Sequence, residues 1–212
     1  MSELGTTHLS AYALTIEPGT QFGALARKGK LPLLDEAAVA DSFQAVEETL
    51  ERAGFEHYEV SNYAKQGARS RHNVGYWVGR SYLGLGCGAW GTLDEDNRRY
   101  RYRNTPSPER YLAAASHFAE ADLRQAGPLV ANYEIIAPET ALAERIMLGL
   151  RLADGLDLEL AAAELGTQLW TPERARARDR LLSQGKLKID GARVSIPKSH
   201  WLLADGIIAS LM

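Results

Sequence analysis

The stretch RHNVGYWVGRSYLGLGCGAWG, Arg71 to Gly91, gathers the residues of this chain best suited to chemistry. It holds a histidine at 72, the only cysteine at 87, tryptophans at 77 and 90, and glycines at 75, 79, 84, 86, 88 and 91. A neutral imidazole is a common metal ligand, and a cysteine ligates as its thiolate. A surface loop has no use for so many aromatic rings. A core strand does not tolerate so many glycines, since each weakens it and invites close approach of another group. The combination predicts backbone packed tightly against something flat or bulky.

Composition bounds what surrounds this stretch. The chain has 212 residues, 45% hydrophobic and 24% charged, which suits one or two soluble domains with a real core. A net charge of -3 and a pI near 6.0 give no overall pull toward nucleic acid or an anionic membrane. No segment approaches the roughly 18 apolar residues of a membrane span, and MSELGTTHLS lacks the basic-then-apolar pattern of a signal peptide, so a cytoplasmic protein is expected. One cysteine excludes an intrachain disulfide and any cluster held by three or four cysteines of this chain.

The elements that must position the stretch follow from local pattern. Thr7 to Ile16 has the β-branched, aromatic and aliphatic density of a buried strand and runs into the Pro-Gly turn of EPGT. Gln21 to Lys28 reads as a short helix stopped by Gly29. Asp35 is an N-cap for a longer helix, in which Val39, Phe43, Val46 and Leu50 form one stripe and Gly54 stands at C′. Phe55 to Val60 alternates like a strand, and SNYAKQGARS reads as a loop. Strand, helix, strand implies a right-handed crossover and a parallel sheet, with sites at the EPGT and SNYA strand ends. A chain that opens on such a strand looks like the middle of a domain.

Within the opening stretch, RHNVGYW is expected as a loop or short helical turn and SYLGLGCGAW as a strand ending in a Gly-Thr turn, with TLDEDN a second turn. Asn97 to Asn104 reads as a strand. Ser107 and Pro108 begin a helix running to about Ala121. Gln125 to Pro138, with glycine, two prolines and little periodicity, is the expected domain boundary, dividing residues 1–125 from 138–212. After it come helices over Glu139 to Leu152, Asp157 to Leu165 and Pro172 to Gln184. A hairpin turning at Asp190-Gly191 and a last helix from Ser199 complete a winged-helix-like arrangement.

HLSAYALTIEPGT, HYEVSN, RHNVGYW and LGLGCGAWG, in this order, resemble the C-terminal part of the radical-SAM haem chaperones of the HemW type, relatives of oxygen-independent coproporphyrinogen III oxidase. The resemblance covers nearly the whole chain. It implies an α/β fold: the C-terminal part of a partial TIM barrel with added strands, residues 1–125, followed by a small winged-helix-like α+β domain, residues 138–212. In that family a CxxxCxxC loop holds a [4Fe-4S] cluster, and S-adenosylmethionine caps its open iron. The loop lies upstream of every motif present here, so the chain is expected to be the back half of such a protein, in need of its N-terminal half and not catalytic alone.

The same resemblance assigns candidate site residues. His72 in HNVGYW matches an HNxxYW pattern implied to bind haem, with His72 as ligand to the iron and Asn73, Tyr76 and Trp77 beside it. The plainer reading of the same residues is a turn histidine with ordinary core aromatics. S-adenosylmethionine contacts fall by motif position on Thr15 and Trp90, although the family more usually has histidine where Trp90 stands. Glu17 sits at the mouth of that site, where a solvated or capping carboxylate is the alternative. Cys87 reads as a buried packing residue, and His8, His57, His117 and His200 as structural or surface residues without metal-ligand spacing. Arg98, Arg99, Arg101 and Arg103, alternating with tyrosines, read as arginines snorkelling over a half-exposed sheet.

Three functions follow from these residues. The first is haem binding and transfer to a haem-accepting partner protein. The second is a fragment of a coproporphyrinogen oxidase-like enzyme of porphyrin biosynthesis, weakened by the single cysteine. The third is DNA binding by the winged helix, since Thr171 to Met212 holds eight Lys or Arg against four Asp or Glu. Arginines at 174, 176, 178 and 180 spread around the helix instead of forming one stripe, so nucleic acid is not the expected partner.

Overall fold

Thr20 and Asp35 start the first two helices, α1 (Gln21–Arg27) and α2 (Glu36–Arg52). Their side-chain oxygens accept from the orphan N–H groups of Gly23 and Ala38 at 3.0 and 2.8 Å. Gly54, at φ +80°, ends the second helix in the left-handed backbone that glycine adopts freely. The computed structural model describes residues 5–96, 98–116 and 122–212.

Around these helices the strands pair differently from expectation. β1 (His8–Ser10), β2 (Glu56–Glu59) and β3 (Asn62–Ala64) form a sheet of order β1-β3-β2, antiparallel throughout. β1 and β2 run parallel across the α2 connection as expected but do not pair, because β3 inserts between them after Glu59, whose carboxylate accepts from the Ser61 N–H at 3.2 Å and from Asn62 Nδ2. Those bonds close a tight return at Val60–Ser61, so Asn62–Ala64 is a strand and not part of a loop. The predicted strand Thr7–Ile16 shrinks to three residues because its partner β3 ends. The Ala11 N–H still reaches Ser61 O at 2.8 Å, and the residues after it belong to no strand. Tyr12 and Leu14 are left 75% and 72% exposed, and with Phe22, Leu33 and Phe43 they line an open apolar groove of about 540 Å³.

β4 (Trp90–Glu95), β5 (Arg98–Asn104) and β6 (Val130–Ile136) form a second antiparallel sheet in that order. Here SYLGLGCGAW is not a strand. Gly86 and Gly88 have φ of +102° and +70°, which breaks extended geometry, and the chain becomes ordered strand only at Trp90, running through the TLDE expected as a turn. The glycine segment packs flat against the sheet instead. Gly84 N–H donates to Tyr102 Oη at 2.9 Å, and Asn104 Nδ2 donates to the carbonyls of Gly84 and Gly86, both at 2.9 Å. α4 (Pro108–Ala115) starts at Ser107 as predicted, and the rest of the helix expected to Ala121 falls at 117–121, outside the described residues. β6 lies in the segment read as a structureless boundary. Its middle residues are exposed, so it carries no apolar alternation, and Arg101 ties it to the next helix through Glu134 at 3.0 Å and Glu144 at 2.5 Å.

The C-terminal elements are α5 (Pro138–Gly149), β7 (Leu156–Asp157), α6 (Leu158–Glu164), α7 (Pro172–Ser183), β8 (Lys188–Asp190), β9 (Arg193–Ser195), a 3-10 segment Lys198–Leu203 and α8 (Ala204–Ala209). The hairpin turn is Gly191–Ala192 and not Asp190–Gly191, since Asp190 pairs with Arg193. The helix expected from Ser199 starts as that 3-10 segment. Leu142, Ile146, Leu150, Leu158, Leu181, Ile196, Trp201 and Ile207 fill one core. At about 1.5–3 kcal/mol per large buried side chain, this core outweighs the N-terminal cluster of Leu50, Phe55 and Tyr63. The β2–β3 hairpin docks on it: Val60 packs against it, Val60 N–H donates to Arg151 O at 3.1 Å, and Ala153 N–H donates to Tyr58 O at 3.0 Å.

Candidate functional site

RHNVGYW is a helix, α3 (Arg71–Trp77), and its start is pinned from two sides. Ser70 Oγ accepts from the Asn73 N–H at 3.2 Å, while the Ser70 N–H donates to Tyr58 Oη at 3.3 Å, and that hydroxyl also pairs with His8 Nε2 at 2.9 Å. The hairpin strand β2 thereby sets where α3 begins. Its end is set by Gly79 at φ +70° and by the Arg80 N–H on Gly75 O at 2.9 Å.

Helical spacing then sorts the four candidate haem residues. His72 and Tyr76, four apart, share one face, with ring centroids 4.8 Å apart and planes at 87°. Tyr76 meets Tyr82 edge-on at 4.6 Å, and Tyr82 is held by paired backbone bonds to Thr92 at 2.8 and 2.9 Å. The imidazole of His72 is exposed, Tyr76 is 37% exposed, and a shallow concavity of about 180 Å³ lies beside them. Asn73 and Trp77 do not line that concavity. The Trp77 ring faces the Arg151 guanidinium at 5.8 Å, and its indole Nε1 is buried without an acceptor among the described residues. His72 and Tyr76 are therefore brought together on a surface, while Trp77 packs toward the C-terminal core.

The other candidates scatter. Thr15 is exposed in the segment beside the apolar groove, off any strand. Trp90 is the first residue of β4, not the end of a glycine strand; it is 44% exposed, with the Arg103 guanidinium 5.6 Å from its ring. Cys87 is exposed, because the glycine turns around it put the side chain outside, and not buried as the apolar setting suggested. Glu17 serves through its carbonyl, which accepts from Thr20 Oγ1 at 2.8 Å. The arginine alternation of β5 holds, with Tyr100 and Tyr102 buried and Arg99, Arg101 and Arg103 partly exposed. His117 lies outside the described residues, and among those described no three His, Cys, Asp or Glu side chains cluster as a metal site.

Two buried polar groups escaped the sequence reading. His57 stacks on Tyr63 at 4.0 Å and meets the edge of Trp201 at 4.4 Å, with Nδ1 on Glu47 at 3.3 Å. Burial pushes its pKa below 6.5 against the opposing pull of Glu47, and burial pushes the Tyr63 hydroxyl up to about 12. Glu59 is fully buried, and burial raises its carboxyl although Asn62 and Ser61 hydrogen bond to it. Alternation in FEHYEV predicts one buried face, yet His57, Tyr58 and Glu59 are all buried, His57 against Glu47 and Trp201 and Tyr58 against His8 and Arg69. Among the described residues no helix is long and apolar enough to cross a membrane.

Comparison with known proteins places this geometry. The family model described as the HemN C-terminal domain matches residues 136–203. The heme chaperone HemW of Mycobacterium tuberculosis is 35% identical over 211 residues, which is 99% of this chain and 48% of that protein. The heme chaperone HemW of Escherichia coli K12 is 42% identical over 111 residues, 52% of this chain and 28% of that protein. The structure of coproporphyrinogen III oxidase (HemN) from Escherichia coli, described as a radical SAM enzyme, aligns over 99% of this chain and 49% of that one with a TM-score of 0.69 at 15% identity, a likeness of fold. The chain spans about half the length of the Mycobacterium tuberculosis relative that it matches end to end.

Proposed function

The chain belongs to the heme chaperone HemW family, as its C-terminal part, and we propose that it binds haem on the exposed face of α3 and passes it to a haem-accepting partner protein. The observation that carries this reading is the pairing of His72 with Tyr76. An accessible imidazole stands edge-on to an accessible aromatic ring, within an HNxxYW string. The imidazole is free to ligate iron, since no hydrogen bond among the described residues occupies its ring nitrogens, and the exposed Tyr76 ring, braced edge-on by Tyr82, offers an aromatic flank to the macrocycle. Asn73 and Trp77 act one step back. The first lends its N–H to the helix start, and the second anchors α3 against Arg151.

Radical chemistry is not assigned to this chain. Three thiolates must hold a [4Fe-4S] cluster of the family type, and Cys87 is the one cysteine present. S-adenosylmethionine contacts at Thr15 and Trp90 belong, in this reading, to the longer relatives, whose remaining barrel would pack over the groove of Tyr12, Leu14, Phe22 and Phe43. We divide the chain into residues 1–125 and a winged-helix-like unit at 138–212, by the order helix, strand, helix, helix, hairpin, and assign a cytoplasmic location. The unit is not read as a DNA binder, because two of the four arginines of α7, Arg174 and Arg178, are used internally and only Arg176 and Arg180 are exposed. Arg174 donates to the carbonyls of Leu211 at 2.9 Å and Leu169 at 2.5 Å, and Arg178 stacks on Trp170 at 4.6 Å.

The test is a haem titration of the purified chain followed through the Soret band. A saturable shift that His72→Ala weakens at least tenfold supports the reading. An identical spectrum for the variant removes His72 as ligand.

A further inference from the structure

A face that takes haem must answer two features of the molecule, its iron and the pair of carboxylates on one porphyrin edge. His72 and Tyr76 answer only the first. The concavity beside them is also lined by Arg71 and Arg80, one just before His72 and the other just past the helix end, with Tyr82 closing the far wall. Both arginines are exposed. Ion pairs elsewhere among the described residues occupy Arg69, Arg99, Arg101, Arg124, Arg145 and Arg151, and none involves Arg71 or Arg80. Asp94, which accepts from Ser81 at this rim, is already engaged: Arg99 Nη1 holds both its oxygens at 2.9 Å and Ser81 Oγ donates to it at 2.6 Å.

Size decides what enters. A volume of about 180 Å³ is below the roughly 300–1,000 Å³ of pockets that enclose a drug-sized ligand, so the concavity can receive an edge of a porphyrin but not the ring. The Arg80 stem lies close over Gly75, where a Cβ would stand 3.7 Å from Arg80 Cδ, in ordinary van der Waals contact. Guanidinium groups are suited to such an edge, because their planar donor fork matches a carboxylate in a bidentate way.

We propose that Arg71 and Arg80 bind the propionate carboxylates of the haem held at His72, and so select a porphyrin with free acid groups over an esterified one. This rests on the haem-binding reading above. The test titrates the full chain with haem and with haem dimethyl ester at low and high salt, beside an Arg71→Gln, Arg80→Gln double variant and the corresponding double lysine variant. The expected result is at least tenfold tighter binding of haem than of its ester, with loss of that preference and of its salt dependence in the glutamine variant and partial retention in the lysine variant. Unchanged thermal melting, expected for two exposed side chains, shows that the variants are folded. Equal affinity of the unaltered chain for haem and ester, or full retention of the preference in the glutamine variant, overturns the proposal while leaving haem binding intact. If neither compound shifts the Soret band, the haem reading falls, and this one with it.

Discussion

His57 lies against Tyr63 with ring centroids 4.0 Å apart and planes 13° from parallel, directly across the β2–β3 ladder, while Trp201 of the C-terminal unit closes on its edge. The imidazole thus joins the hairpin, α2 through Glu47, and the C-terminal core. Its Nε2 is buried with no partner among the described residues, so a proton placed there has no acceptor. Its pKa lies below the ordinary 6.5 chiefly by burial, with Glu47 opposing and Lys198 adding to the depression. The neutral form is favoured in the folded chain. Its contribution to stability is complete above the unfolded value of about 6.5 and is lost as pH falls through the depressed folded value. His57→Phe keeps the stacked ring and removes the proton site. Thermal melts between pH 7.5 and 5 should show the unaltered chain losing stability relative to this variant as the pH drops, and curves that stay parallel would refute the assignment.

Glu59 predicts the reverse direction. Its folded pKa is raised, mainly by burial, so the folded chain binds a proton more readily than the unfolded chain. Stability from this group therefore grows as pH falls from neutrality toward the ordinary carboxylate range near 4.5. Glu59→Gln does not titrate, and it offers one acceptor where Asn62 Nδ2 and the Ser61 N–H both donate. The stability of the unaltered chain minus that of the variant should be larger at pH 5 than at pH 7 in urea unfolding. A difference that shrinks on acidification contradicts the raised pKa.

Gly91 is tested by crowding. A Cβ at this position would fall 2.3 Å from Tyr102 Cζ, and Tyr102 is buried with its hydroxyl accepting from the Gly84 N–H. Gly91→Ala should destabilise by about 1–3 kcal/mol, the usual cost of forcing extra volume into a packed site. Gly127→Ala, where a Cβ meets nothing within 4 Å, is the control and should melt within a degree or two of the unaltered chain.

Tyr76 and Trp77 are neighbours in sequence with different expected roles. Tyr76→Ala removes the ring beside His72 and should weaken haem binding several-fold with little change in melting temperature. Trp77→Phe removes an indole N–H that has no acceptor among the described residues, and should leave haem affinity unchanged and stability within about 1 kcal/mol. Equal loss of haem affinity in both variants would mean that the macrocycle contacts both rings.

Much of the chain was legible in advance where the signal is local. Asp35 and Ser107 cap helices as written, Gly54 stops one, and the stripe of Val39, Phe43, Val46 and Leu50 belongs to a helix that does form. The candidate site was legible only in part. RHNVGYW coincides with the seven residues of α3, but the separation of His72 and Tyr76 from Trp77 appears only once the segment is helical and Arg151 stands beside it. Cys87 was misread because an apolar neighbourhood in sequence says nothing about the direction imposed by Gly86 and Gly88.

What the sequence determined by itself was the starts of α1, α2 and α4, the stop of α2 at Gly54, the family motifs and the exclusion of a three-cysteine cluster, all properties of residues a few positions apart or of simple count. Tertiary structure alone decided strand partnership and exposure. Thr7–Ile16 lost most of its strand because β3 ends, SNYA became a strand because Glu59 accepts from Ser61 and Asn62, and β6 formed in a segment without periodicity because β5 offered it a ladder. A strand needs a neighbour to satisfy its N–H and C=O groups, and that neighbour can lie fifty residues away, whereas a helix satisfies its own.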